Sequence, residues 1–550
     1  MLARLRRKPA GPPPDPKSVN YSAEHVALAK TIARRQRMLN SVWRHVPLIR
    51  AILATVGVLW LLALPYEGLW KRTYVDEHAL QPAQVTMYFD WANVHQADLY
   101  LDELEKIANS SIQERSTYLQ NTFSASGLRT GSTPTSTYAH VTPPRSAGTE
   151  SILLSANWLS RDGGPNLRGV AMLLAFGDFL RGQNHWAFDF ILVVGEDYMS
   201  GLEGFMREYH SILPGVIWTG LNIDYPGHSF SHLGLFYEGV NGRLPNQDVV
   251  NTVAHVARHS GGVLPRYHDI KDEPEEISFL PFTPSWLSSY VLAAKHLLHH
   301  FAYTALGRAT GAHGVLARHR IDSLTLYCTP ATGPHGFHTL GRTLESTSRS
   351  FNNLLERLHA SYFFYLLPRP DWFIPVGHYL PAAVLLGASL TIGGFDCPSP
   401  LGGLFHMLPS FIPAVIAALG IRISSIPMMD SILPMLIAIG LGSSLPVPKG
   451  DAKKSLESLT LLLYGALIPT LAMINFPQAI LLASIALLYL TSPTWLRVPV
   501  LGMNPMVLVA MLHGKGVDIQ QEWIEYGNFA WPGVLVVWLP LWVTAWRLIR

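Results

Sequence analysis

The sequence predicts two fold classes in one chain: an α/β domain whose mainly parallel sheet carries helices on both faces, and an all-α membrane bundle of eight spans in total. Three observations predict this. Apolar residues form one stretch near 46–65, then about 300 mixed residues, then almost unbroken hydrophobicity to the C-terminus. A bilayer core needs about 20 apolar residues per helix, so this reads as one anchor, a water-facing domain and a multi-span bundle. Of 550 residues 49% are hydrophobic and only 14% charged, against roughly 25% charged in soluble domains. Finally, the middle of the chain alternates apolar strands with helical patterns, which implies parallel strands covered on both sides.

Residues 1–45 form a basic segment. Residues 1–50 hold eleven Lys or Arg, including Arg6, Arg7, Lys8, Arg34, Arg35 and Arg37, against Asp15 and Glu24. The positive-inside rule places this end in the cytosol, and 46–65 reads as a retained signal anchor because it lies too far from Met1 for a cleaved signal. Residues 66–370 then form a lumenal domain and 371–550 a seven-helix bundle, with spans near 372–392, 403–420, 428–446, 456–474, 476–492, 499–513 and 530–548. Lys449, Lys453, Lys454, Arg497, Arg547 and Arg550 all fall on the cytosolic side of this alternation, and Asp518, Glu522 and Glu525 on the other. The net charge of +3, without a basic stripe, argues against nucleic acid as a partner.

Cys328 and Cys397 fall on opposite sides of the membrane, so no disulfide framework is expected. The sequon at Asn109 is lumenal and predicts a glycoprotein; the one at Asn20 is cytosolic. Helix 285–306 carries Lys295, His296, His299 and His300 beside Trp286, Leu287 and Leu297. That pattern predicts an amphipathic helix packed in the domain or on the membrane surface, not a span.

In the domain, strands are expected at 151–155, 188–194 and 216–223, with helices at 165–181, 200–210 and 246–258. Chemistry in such sheets sits beyond the carboxyl ends of the strands. Asn157, the pair Glu196 and Asp197, and Asp224 stand there. Carboxylates at strand ends suit metal binding or acid–base work; they also cap helices and open turns.

The order of these pieces resembles the zinc-dependent aminopeptidase fold. In that family a His-x-Asp follows the first strand, a metal-bridging Asp opens the next helix, a Glu-Glu pair and an Asp end the following strands, and a His comes late. Here Asn157 stands for the first His, Leu159 for its Asp and Pro165 for the bridging Asp. Glu196, Asp197 and Asp224 fit the later positions, with His335 or His338 for the last. Proline offers no ligand atom, so a two-zinc centre is not expected. No cofactor is expected, with a single residual zinc on Asp197, Asp224 and His335 left open.

A second resemblance spans nearly the whole chain. The runs KRTYVDEHAL (71–80), GTESILLSANW (148–158), YEGVNGRLPNQDVVN (237–251), GAHGVLARHRIDSLTL (311–326) and FNNLLERLHASYFFYLLP (351–368) look like the anchor-attachment, Gaa-type subunit of GPI transamidase. The resemblance implies a noncatalytic subunit in the endoplasmic reticulum membrane with both termini cytosolic. Its implied partners are the GPI lipid, the proprotein and other subunits, one of them cysteine-protease-like and carrying the nucleophile. It also links a proline in the last span to recognition of the GPI lipid, a position Pro540 fits between Trp538 and Trp542. The juxtamembrane Tyr74, Asp76 and His78 stand where a glycan head group would emerge, although Tyr74 equally suits an interfacial anchor. Cys328, at the end of a strand, reads as a buried small hydrophobe with no identified base. The competing classes are a membrane-bound zinc metallopeptidase and a transporter. The second needs buried charges or broken helices within the spans, which only Asp430, near Arg422, approaches.

Overall fold

The computed structural model describes residues 23–81, 86–270, 284–358, 364–415, 436–437, 439–502 and 504–550. The sequon at Asn20, the basic residues before Ser22, Arg422, Asp430 and the centre of the two spans expected at 403–446 lie outside them.

The domain is built on an eight-stranded sheet in the order β2-β3-β5-β4-β6-β9-β7-β8. Its strands are β2 (Arg129–Thr133), β3 (Ser136–Val141), β4 (Glu150–Asn157), β5 (Asp189–Gly195), β6 (Val216–Asp224), β7 (Phe230–Phe236), β8 (Leu264–Tyr267) and β9 (Asp322–Pro330). The central four, β5-β4-β6-β9, are parallel. Period-2 alternation divides their side chains between two cores. Ile152, Leu154, Ala156, Phe190, Leu192 and Val194 face one core with helix α4 (Leu167–Arg181), whereas Leu153, Ile191 and Val193 face the other with α5 (Ser200–Ile212) and α8 (His313–Arg318).

The sheet as a whole is mixed, which corrects the expectation of a mainly parallel one at its margins. β2 pairs antiparallel with β3, β3 with β5, and β7 with β9. Only Pro134 and Thr135 separate β2 from β3, too few residues for a parallel crossover. β2 reads Arg-Thr-Gly-Ser-Thr with no apolar residue, so it gives no strand signal. Helices α2 (Trp91–Ile107) and α3 (Ile112–Ala125) are likewise additions to the expected set. Asn109 lies exposed in the turn between them, just before the Ser111 capping box.

A small antiparallel sheet joins domain to membrane. β1 (Lys71–Arg72) pairs with β11 (Trp372–Pro375), which pairs with β10 (Tyr365–Arg369). This ties the exit of α1 (Ala23–Ala63) to the entry of α10 (Val376–Gly394). The two helices then run side by side: the Trp60 indole donates to the His378 carbonyl at 2.7 Å, and Gly57 leaves room for Leu386.

Four helices among the described residues are long and apolar enough to cross a bilayer: Trp43–Ala63, Val376–Gly394, Asp451–Ile474 and Ala530–Ile549. Pro400–Val415 and Phe476–Leu490 are shorter. The span expected at 499–513 is instead two helices, Thr494–Leu501 and Pro505–Gly514. The Asn504 side chain accepts from the Val507 amide and starts a new helix there, with proline at its first position. α1 is one continuous helix through Pro47 and does not begin at 46.

Helix ends sort into two layers. At the far end from the domain, Lys454 pairs with Asp396 at 2.6 Å, and buried Arg547 donates to the His406 and Pro446 carbonyls and to Ser410. At the domain end lie Asn475 and Asn528.

Candidate functional site

The carboxyl ends of β4, β5 and β6 bring the expected residues into one neighbourhood but engage each with protein. Asn157 donates to the Tyr198 carbonyl at 2.6 Å and lies 3.3 Å from Asn222. Glu196 is ion-paired with Arg115, whose guanidinium also stacks on Trp158. Asp197 accepts from the Ser200 hydroxyl at 2.7 Å, at the start of α5. Pro165 sits in a bridge with Leu159, and Asn166 behind it donates to the Asn157 and Ile223 carbonyls.

Asp224 is buried; one oxygen accepts the Arg161 amide at 3.0 Å and the other has no partner. Burial pushes its carboxyl up to about 6. Above it the Arg161 guanidinium lies 3.9 Å from the centroid of Phe236 and 3.8 Å from the Asp269 carboxylate. His335 belongs to a bridge with Phe230 and contacts Thr339, while His338 stacks on Trp91. Among the described residues no three His, Cys, Asp or Glu side chains form a group that could hold a metal. The residues present therefore do not fit zinc: two positions lack ligand atoms, Arg115 is ion-paired with Glu196, and Asp224 accepts the Arg161 amide. Cys328 is fully buried beside Asp224; burial, then that charge, pushes its thiol well above the ordinary value. A thiol so placed is no nucleophile at neutral pH.

Sequence reasoning missed a buried ionic cluster beneath helix α7 (Ser285–Thr304). Glu238, with no exposed surface, accepts from His268 and His300 at 2.8 Å and from Thr310 at 2.9 Å. Burial alone would raise its pKa, but the two histidines hold it well below the usual range. Burial drives neighbouring His296 down to about 3 and His299 to about 4, so both stay neutral. The other buried side of α7, Ala293 and Leu297, joins the core of the membrane helices, and the Tyr290 hydroxyl donates to the Leu62 carbonyl. The helix expected to pack within the domain is thus the bridge between domain and bundle.

Three asparagines complete that bridge. Asn241, at φ 63° in the left-handed region that asparagine tolerates, donates to the Gly527 carbonyl and accepts from the Phe529 amide. Asn475 donates to the Asn241 and Thr304 carbonyls while capping the helix Phe476–Leu490. Asn528 donates to the Leu306 carbonyl and to Glu522. Between these contacts opens a cavity of about 870 Å3, lined from the domain by Arg243, Arg318 and Tyr365 and from the membrane helices by Tyr379, Met473 and Phe476.

The juxtamembrane run is strapped to helix α6 (Gln247–Val256): Asp248 accepts the Asp76 and Glu77 amides, and Asn251 donates to the Tyr74 carbonyl. Tyr74, Asp76 and His78 thereby keep exposed side chains. Tyr74 lines a second cleft of about 480 Å3 with Arg72, His255 and Arg258. Pro540, by contrast, is buried. A π-helical turn, Val534–Trp538, precedes it, and the Tyr464 hydroxyl donates to the Val537 carbonyl at 2.7 Å. Trp538 donates to the Tyr489 hydroxyl and Trp542 to the Leu501 carbonyl.

Fold and site together define a membrane-tethered α/β domain whose strand ends, among the described residues, assemble neither a metal set nor an activated nucleophile. Residues 133–401 match the family described as Gaa1-like, GPI transamidase component. The chain is 26% identical over 471 residues to the GPI transamidase component GAA1 of Saccharomyces cerevisiae, covering 80% of this chain and 74% of that one. To the corresponding component of Schizosaccharomyces pombe it is 29% identical over 391 residues, 65% of each chain and so just under two thirds of that relative's length. The similarity to GPI transamidase components thus extends well beyond the domain. Among solved structures it is similar to a Fimbriiglobus ruber glutaminyl cyclase (12% identity, 49% of this chain, 98% of that, TM-score 0.32) and to the Legionella pneumophila LapA aminopeptidase (10%, 52%, 78%, TM-score 0.35).

Proposed function

We propose that this chain is the GPI transamidase subunit that binds and positions the GPI lipid, with the proprotein, for anchor attachment at the lumenal face of the endoplasmic reticulum membrane. In this reading it has no catalysis and no metal of its own, and a separate cysteine-protease-like subunit supplies the nucleophile. The observation that carries the reading is the cavity at the junction. It is walled jointly by the domain and by the ends of membrane helices, where a substrate with a lipid tail and a polar head meets both solvents at once. The Arg115 ion pair on Glu196 supports the noncatalytic part, since a peptidase needs that carboxylate free. The loop charges and the two layers of helix ends support the orientation, with both termini cytosolic.

The test is affinity purification of the full chain from membranes in mild detergent. Recovery of the cysteine-protease-like subunit together with GPI is the expected result. Recovery of the chain alone, or metal-dependent peptide hydrolysis by it, would overturn the proposal in favour of the zinc metallopeptidase.

A further inference from the structure

The two arginines of the junction cavity differ in one respect that matters. Arg318 is committed: it donates to Glu203 at 2.8 Å and to the Glu525 carbonyl at 3.0 Å. Arg243 is exposed, and its guanidinium makes no hydrogen bond or ion pair among the described residues. The nearest opposite charge, Asp322, is largely buried and accepts the Asn246 amide.

Beside this cation the cavity rim is apolar and open. Ile474 is 72% exposed, Phe529 60% and Met473 45%, all at domain-side ends of membrane helices. Exposed large apolar side chains ringed by polar groups mark a binding surface. The remaining lining groups are largely occupied, for Asn475 and Asn241 use their side-chain donors on carbonyls and His300 holds Glu238. Among the described lining residues the uncommitted charge is positive, and it sits at the boundary of the membrane region above an apolar lip. A volume of about 870 Å3 lies toward the upper end for ligand sites, roughly 300–1,000 Å3, and admits more than a small head group.

We infer that this cavity binds the head of an inositol phospholipid, its phosphodiester on Arg243 and its acyl chains leaving over Met473, Ile474 and Phe529. This rests on the proposed function and deepens it, because the phosphatidylinositol part of the GPI substrate carries that phosphodiester. A guanidinium matches two phosphate oxygens at once, which a lysine does only as a point charge.

The test uses the full-length chain, purified in mild detergent with whatever it retains and placed in phosphatidylcholine vesicles. The vesicles contain phosphatidylinositol or phosphatidylcholine bearing a photoreactive acyl chain, and adducts are mapped by mass spectrometry. Inositol-lipid adducts are expected on peptides spanning 472–477 and 526–529. Arg243→Glu should cut their yield by about tenfold, the factor for losing one charged hydrogen bond, while Arg243→Lys should keep a measurable part. Arg243→Glu also sets a like charge toward Asp322, so Arg243→Gln is run beside it and should lose the adducts likewise, with unchanged recovery of any co-purifying subunits checking the fold. Equal labelling of wild type and Arg243→Glu would overturn the inference, as would equal labelling by the phosphatidylcholine probe. Adducts confined to the neighbourhood of Pro540, or complete displacement by free inositol phosphate, would overturn it too. All four results leave the proposed function standing, because that falls on subunit and GPI recovery instead.

Discussion

Replacing Asp224 by asparagine should stabilise the domain at neutral pH, and by less as the pH falls. The carboxylate is buried at the end of a central strand with one oxygen unpartnered, and burial raises its pKa from 3.8 to about 6. A group whose folded pKa lies above its unfolded value adds stability that is complete below the unfolded pKa and lost as pH rises through the folded one. Above about pH 6 the charged Asp224 therefore costs the fold up to ~3 kcal/mol, at roughly 1.4 kcal/mol for each tenfold change in proton affinity. Arg161 faces the carboxylate, donating through its backbone amide, and Asp162 lies near. Asp224→Asn keeps an acceptor for the Arg161 amide without the charge. Cys328, fully buried in the adjacent strand β9, reports opening of the domain; Cys397 is removed as Cys397→Ala. Maleimide labelling of Cys328 should be slower in the asparagine variant at about pH 7.5. The ratio of wild-type to variant rates should narrow by about tenfold on going to about pH 5, because only the wild type regains stability there. A ratio that does not change with pH would refute the buried-charge account, whatever its size.

Asn475→Ala should cost about 3 kcal/mol, since it leaves the Asn241 and Thr304 carbonyls without their donor and uncaps a helix. Hydrogen exchange should rise at 304–307 and 526–530, and protection as in wild type would refute the bridge. Pro540→Ala should spare assembly and lower GPI recovery, because the π-helical turn before the proline shapes the last span; recovery as in wild type would show that the proline plays no part in holding the lipid. Elemental analysis of the purified chain should show well under one zinc per molecule, and a stoichiometric content would refute the reading of the strand ends.

Much of the architecture was legible because two periodicities were strong. Apolar runs such as Ile152-Leu153-Leu154 and Phe190–Val194 could only be doubly buried strands, and they lie at the centre of the sheet. The edges were not legible, for β2 has no apolar residue and its place is set by pairing with β3. Helix starts at Asn475-Phe-Pro and Asn504-Pro carried a capping signal. The second split an expected span, which hydropathy alone cannot show because both halves are apolar. At the site, the departures at Asn157 and Pro165 were visible in the sequence. The arginines were not: Arg115 comes from α3, 81 residues before its partner Glu196. Glu238, His268 and His300 are brought together from three separate elements, so no local spacing announces them.

These long-range partners decide what the strand ends can do. Restoring a histidine at Asn157 alone would not rebuild a metal centre. The new side chain would face the Tyr198 carbonyl and Asn222, which Asn157 now occupies, and Glu196 would still be held by Arg115. Asp224 would still accept the Arg161 amide and lack a bridging carboxylate at Pro165. Freeing a buried carboxylate by removing its arginine leaves an uncompensated charge, at a cost of about 3–5 kcal/mol. The Arg115 pair on Glu196 and the contacts of Asn157 thus stand where a peptidase centre needs free ligands. At the junction the asparagines use their side chains on backbone groups, and among the described residues the Arg243 guanidinium has no hydrogen bond or ion pair. The proposed recognition of the lipid falls where the domain meets the membrane helices.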